Sequence, residues 1–373
     1  MAQTYKDLTR CHNTHTFALE IFQAGCVVSP YVDQRAFVFD ANTRLPDIKS
    51  LKLSRYDWNY TRPSWNDRFL ARQPRPSVEL WREAMDWTKL EDLDIDLPPR
   101  IFLDTMKDQL TGLQSLAFRP QWGFWGDEET LCGFDSEVQE MRNAYVSFIA
   151  GLPPLRNLSI SGTGELLEME PMLLKHGHTL RSLALHEFEK DCAYQTGNRT
   201  WRRPTIAVEE LGHLQSMAPN LDSLSLDLHR GHGNWPTEEM NVLSTLDNLI
   251  DLTIHFSLED PTRMTHANHC FSLSSPCLLP ELMEPRLELG AARLMFRNLR
   301  QQQRSKRLRH LRLVAGDYAR REGGGLRFVD YEPNEPVMYR CRVENNGTDF
   351  CMGPTGFSNS RTEDFFGAES YDD

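Results

Sequence analysis

Long hydrophobic runs are missing from this sequence. No stretch approaches the roughly 18–20 consecutive apolar residues of a membrane-spanning helix, and residues 1–17 are polar where a secretory leader would carry its apolar stretch. The expectation is an intracellular chain, cytoplasmic or nuclear, with no membrane partner. Closely spaced cysteines are missing too. The eight present, at 11, 26, 132, 192, 270, 277, 341 and 351, include no CxxC pair, so they read as reduced thiols. Positive charge is in short supply: 41 Lys and Arg stand against 53 Asp and Glu, and the net charge of −12 argues against a nucleic-acid partner. No GxSxG, HExxH or GxGxxG motif stands between a strand and a helix, and no Cys and His can be singled out as nucleophile and base. Neither catalysis nor a cofactor is expected. What is present is 40% apolar residues, too many for a disordered chain.

Those residues repeat. An apolar residue, two variable ones, an apolar residue, one variable one and a third apolar residue recur at Ile48/Leu51/Leu53, Leu90/Leu93/Ile95, Leu113/Leu116/Phe118, Leu155/Leu158/Ile160, Leu180/Leu183/Leu185, Leu221/Leu224/Leu226, Leu249/Leu252/Ile254 and Leu308/Leu311/Leu313. The last two positions of each copy have the period of a strand with one buried face. Segments leading into several copies have helical period: Val138, Met141, Tyr145 and Phe148; Val208, Leu211 and Leu214; Met240 and Leu243. One such unit cannot bury its own apolar face, so units must stack. The expected fold class is therefore α/β, an irregular leucine-rich-repeat solenoid: a horseshoe with a curved parallel sheet inside and helices outside, over residues 45–316. The central positions 51, 93, 116, 158, 183, 224 and 252 alternate long and short steps, within the double spans 51–116, 116–183 and 183–252. A degenerate copy is expected near Phe271 and Leu273, in the long step to Leu311.

The stretches LPDIKSLKL, LTGLQSLAF, LPPLRNLSI, MAPNLDSLSL and LDNLIDLTI resemble the irregular leucine-rich repeats of fungal F-box-type proteins. In that family an N-terminal F-box docks on the adaptor of a cullin ubiquitin ligase and the repeats hold a substrate. The resemblance therefore implies a substrate receptor with a cullin-ligase adaptor as a partner. The only F-box-like stretch is Phe17-Ala-Leu-Glu-Ile-Phe22. Three positions after each last strand leucine, where the repeats of the family carry Asn or Cys, stand Tyr56, Pro98, Gln121, Thr163, Phe188, His229, Ser257 and Gly316. No side-chain ladder is expected to cap every turn.

The leading functional reading is a non-enzymatic protein-interaction scaffold. Strand alternation turns Asp92, Asp94, Ser159, Ser225, Asp251 and Arg312 toward the concave side, among other small and polar residues. The long units carry insertions over 54–76, 119–133 and 186–204 that should share one rim. They hold Trp58, Tyr60, Trp65, Trp122, Trp125 and Trp201 with interleaved arginines, the residue types that dominate interface hot spots. The same tryptophans could instead fold back onto the core.

The alternative is a metal-dependent or other catalytic protein using His266, His269, Cys270 and Cys277, whose spacing departs from the common zinc motifs. Ser161-Gly-Thr-Gly-Glu165 reads as a turn with a helix cap. His229-Arg-Gly-His232 reads as an exposed loop, and the basic run Arg293–Arg312 as the solvated side of a helix whose apolar face is Leu294, Phe296 and Leu299. Residues 1–44 are expected to cap the first unit, with a short helix from Thr16 to Ala24 and a strand at Ala36–Phe39. Residues 317–344 are expected to form a hairpin of Leu326–Asp330 with Val337–Val343, and 345–373 a disordered acidic tail.

Overall fold

The computed structural model describes residues 13–21, 43–59, 75–119, 136–162, 168–187, 203–230, 234–256, 285–315 and 337–353. The eight repeat copies become eight short strands: β2 (Ser50–Ser54), β3 (Asp92–Asp96), β4 (Ser115–Arg119), β5 (Asn157–Ser161), β6 (Ser182–His186), β7 (Ser223–Leu228), β8 (Asp251–Phe256) and β9 (His310–Ala315). Before them runs β1 (Thr16–Glu20), and after them β10 (Val337–Val343) and β11 (Asp349–Met352). All eleven join in one sheet in strict sequence order. Pairing is parallel from β1 to β9 and antiparallel through β9, β10 and β11. Sequential parallel strands require a crossover in every unit. Several crossovers hold a helix: α1 (Ser77–Ala84), α2 (Arg100–Met106), α3 (Ser136–Gly151), α4 (Met169–His176), α5 (Val208–Met217), α6 (Thr237–Leu243) and α7 (Leu289–Gln302). The result is an α/β sheet compatible with a solenoid.

Each copy buries all three of its apolar residues. Leu90, Leu93 and Ile95, for instance, are essentially without solvent exposure, and they share one continuous core with Phe102 of α2 and the equivalents from every other unit. At about 1.5–3 kcal/mol for a fully buried aliphatic side chain, the three-residue motif is a large favourable contribution in each unit. A backbone ladder fixes the stacking. The carbonyls of His15, Lys49, Glu91, Gln114, Arg156, Arg181, Asp222 and Ile250 each accept two successive N–H groups from the start of the next strand.

Several sequence expectations change. Thr16–Glu20 is a strand, not the start of a helix; Phe17 and Leu19 pack on the core in register with Leu51 and Leu53, so alternation outweighs helical propensity beside an open sheet edge. β8 pairs directly with β9, and the degenerate copy expected near Phe271 and Leu273 lies outside the described residues. Val337–Val343 pairs with β9 and β11. The tail is ordered at its start, because 349–352 completes the sheet as β11. Cys341 and Cys351 are cross-strand partners joined in a disulfide, so these two are not reduced thiols. Leu294 does not belong to the buried face of α7: it is exposed while Met295, Phe296 and Leu299 are buried. Arg230 in the presumed exposed loop is fully buried, where it meets the Pro285 carbonyl and the face of Phe256. No helix among the described residues is long and apolar enough to cross a membrane.

Candidate functional site: the open face of the sheet

Leucines and isoleucines point from each strand toward the helices, so the alternate residues form the opposite, open face. The register lines them up across the strands. One row runs Lys52, Asp94, Ala117, Ser159, Ala184, Ser225, Thr253, Arg312, Arg340 and Met352; its neighbour runs Ser50, Asp92, Ser115, Asn157, Ser182, Ser223, Asp251, His310, Arg342 and Phe350. Asp92, Asp94, Ser159, Ser225, Asp251 and Arg312 thus share one surface. Across β4–β7 both rows hold only Ser, Ala and Asn, giving a floor without long side chains. At about 4.8 Å per strand these four strands span roughly 15 Å, wider than the backbone of a helix or an extended segment.

Charge stands at both ends of this floor. On β3, burial pushes the Asp94 carboxyl upward while the Arg119 guanidinium, 2.5 Å away, and Lys52 draw it back. Burial likewise raises Asp92. At the other end, His310 meets Asp251 at 2.5 Å, and Arg312 and Arg340 lie directly opposite each other.

A third row, toward the strand ends, is largely buried. It includes Asp96, Ser161, His186, Asp227 and His255. Its polar side chains reach back to the preceding unit: Asp96 accepts from the Arg55 N–H and the Ser54 hydroxyl, and Ser161 donates to the Phe118 carbonyl at 3.4 Å. Asp227 accepts from the Glu187 N–H at 2.6 Å, from Nδ1–H of His186 at 2.8 Å and from Arg203 at 3.1 Å. Arg55 and Glu187 are the residues that follow β2 and β6, so the two aspartates occupy equivalent places. Arg55 takes a left-handed backbone (φ 60°), and its N–H, beyond the end of β2, is satisfied by that carboxylate. Burial pushes the Asp96 carboxyl up to about 6, with the Arg55 and Ser54 hydrogen bonds opposing.

His186, Asp227 and His255 offer three ligand atoms within 4.8 Å of one another, the one such cluster among the described residues. The geometry suits hydrogen bonding better than a metal. The two imidazoles stack with centroids 3.8 Å apart and planes 26° apart, an arrangement of ring faces against each other. The Asp227 oxygen that faces His186 is also the one held by the Arg203 guanidinium, which competes with any cation. The other ring, His255, meets Ser225 at 3.2 Å. The metal candidate His266, His269, Cys270 and Cys277 lies outside the described residues.

Trp58 is corrected. It is 3% exposed, 4.6 Å from Phe102 and 4.8 Å from Tyr56 in a cluster with Trp81, and is a core residue and not a rim contact. The insertion returns to the helix layer at this point, since the Val78 N–H of α1 bonds the Trp58 carbonyl. Tyr60, Trp65, Trp122, Trp125 and Trp201 lie outside the described residues.

A side-chain capping ladder is present among the described residues, but not at the positions after the last strand leucine. It lies just before the first apolar residue of the copy, where Thr179 donates to the Leu155 carbonyl, Asn220 to His178 and Asn248 to Pro219, each at 2.7 Å. The pair of Asn-Leu dipeptides at 220–221 and 248–249 was the available signal. Compared with known proteins, the chain matches no family model, and no curated protein matches it.

Proposed function

We propose that this chain is a non-catalytic scaffold of the leucine-rich-repeat type that holds a protein partner on the open face of its sheet. The supporting observation is the floor over β4–β7: eight register-aligned positions, all Ser, Ala or Asn, between charged ends. A merely solvated sheet face tolerates Lys, Glu and Thr at such positions; a floor kept low over four successive strands lets a partner's main chain approach. Extended binding surfaces are what stacked units provide. The substrate-receptor role implied by the resemblance fits this reading, with the adaptor docking elsewhere than on Phe17–Phe22, most of which is strand β1.

The test is partner capture with the full chain and a Ser159→Arg/Ser225→Arg variant. Both sites are partly exposed, but Ser225 gives up its contact with buried His255, so the melting temperature is read beside the capture and should fall by no more than several degrees. At least one protein retained by the parent should be lost from the variant. An identical set of captured proteins from the two would sink the open-face reading.

A further inference from the structure

The last three strands give the open face a chemistry found nowhere else on it. Arg312 of β9 and Arg340 of β10 are direct cross-strand partners, and Arg342 sits two residues along β10 beside His310. The same register places Met352 opposite Arg340 and Phe350 opposite Arg342. Phe350 and Met352 are 40% and 44% exposed, two of the four large apolar side chains left open to solvent among the described residues. The Arg342 guanidinium lies 5.6 Å from the Phe350 ring and 3.7 Å from the Glu344 carboxylate, a loose, exposed pair that a partner's carboxylate can replace. Behind the sheet, Asp349 pairs with Arg300 of α7 and Cys341 is bonded to Cys351. The strands carrying the patch are therefore anchored from their other face, and the exposed pair is not the fringe of a loose end.

Large exposed apolar groups beside arginines are what interfaces display. We propose that this corner reads an acidic protein segment: carboxylates over Arg312, Arg340 and Arg342, and a large apolar side chain against Phe350 and Met352. This rests on the scaffold reading above and names the chemistry of its partner. Charge complementarity selects the occupant. A polyanion such as RNA, continuing across the face, would next meet Asp251 and then Asp92 and Asp94, on a chain of net charge −12. A short acidic segment whose remainder is neutral meets only the low floor.

The experiment is selection of a random twelve-residue peptide display library on the full chain, with binding of the enriched synthetic peptides measured by fluorescence anisotropy. Expected is enrichment of peptides carrying two or more Asp or Glu and a large apolar residue. Their affinity should fall at least tenfold on Arg340→Glu/Arg342→Glu and several-fold on Phe350→Ser. It should hold on Arg293→Glu/Arg297→Glu, the same charge change on α7, and the melting temperature of each variant reports its folding. Enriched peptides that are not acidic, or that ignore the Arg340/Arg342 change, overturn the proposal. If such peptides still depend on Ser159 and Ser225, the scaffold reading stands without it. No enrichment counts against both. Tighter binding of a twenty-nucleotide single-stranded RNA or of phosphatidylserine vesicles would reassign the patch to a phosphate ligand.

Discussion

Asp96 and Asp227 hold the same place in two units, and they hold it by different means. Each closes the turn behind the preceding strand by accepting the first N–H beyond it, of Arg55 or Glu187. Asp96 does so with a hydroxyl and a backbone amide as its hydrogen-bond donors, and burial leaves its carboxyl easier to protonate than usual. Asp227 is fully buried but has Arg203 and His186 on it. The comparison teaches that this fold can satisfy one geometric need either with neutral donors, which leaves a desolvated charge, or with an ion pair, which requires a second buried residue supplied from a long insertion. Both aspartates stand after a long crossover, so the presence of the second buried residue, not crossover length, separates the two sites.

The largest expected effect is at the ion-paired site. Asp227→Ala leaves Arg203 buried without its carboxylate and should cost about 3–5 kcal/mol, read from denaturant unfolding. A loss below about 1 kcal/mol would show that the two sites are alike. The Asp96 carboxyl is next. Folding lifts it from 3.8 to about 6, so between those values the folded chain holds a proton that the unfolded chain has released. Its contribution is present at low pH and lost as pH rises through the window. The stability of the parent relative to Asp96→Asn should fall by on the order of 2–3 kcal/mol from pH 4 to pH 7. A flat difference across that range would contradict burial as the controlling cause. The smallest effect tests the ladder on the other side of the strands: Asn220→Ala should cost about 1 kcal/mol, because it removes one hydrogen bond to a carbonyl that water can reach, and Asn248→Ala slightly more, because it also releases Arg307.

The sequence carried the fold further than the site. Ile48, Leu51 and Leu53 and their equivalents could be read because their pattern follows from two local facts, strand alternation and a turn before it. β1 escaped because Phe17 and Leu19 lack the first apolar residue of the motif, and β11 because Asp349–Met352 becomes a strand only beside β10. The open-face rows were legible from alternation alone, since the register was already fixed by the leucines. Trp58 was not: an aromatic in an insertion reads as a surface residue until the place where the insertion returns is known. The Asp227 cluster brings together residues from three strands and an insertion, and no spacing in the sequence announces it. Asp96 could have been suspected, because an acid directly after two buried strand residues needs a donor.

The two amide hydrogens gathered by each of His15, Lys49, Glu91, Gln114, Arg156, Arg181, Asp222 and Ile250 have a consequence for how such a chain can change over time. Every junction uses the same main-chain hardware, which no side-chain substitution removes, and each begins afresh at the next strand. A crossover can therefore lengthen or shorten without shifting the register of its neighbours. A whole unit can be gained by tandem duplication or lost by deletion, with only the two flanking seams to re-form.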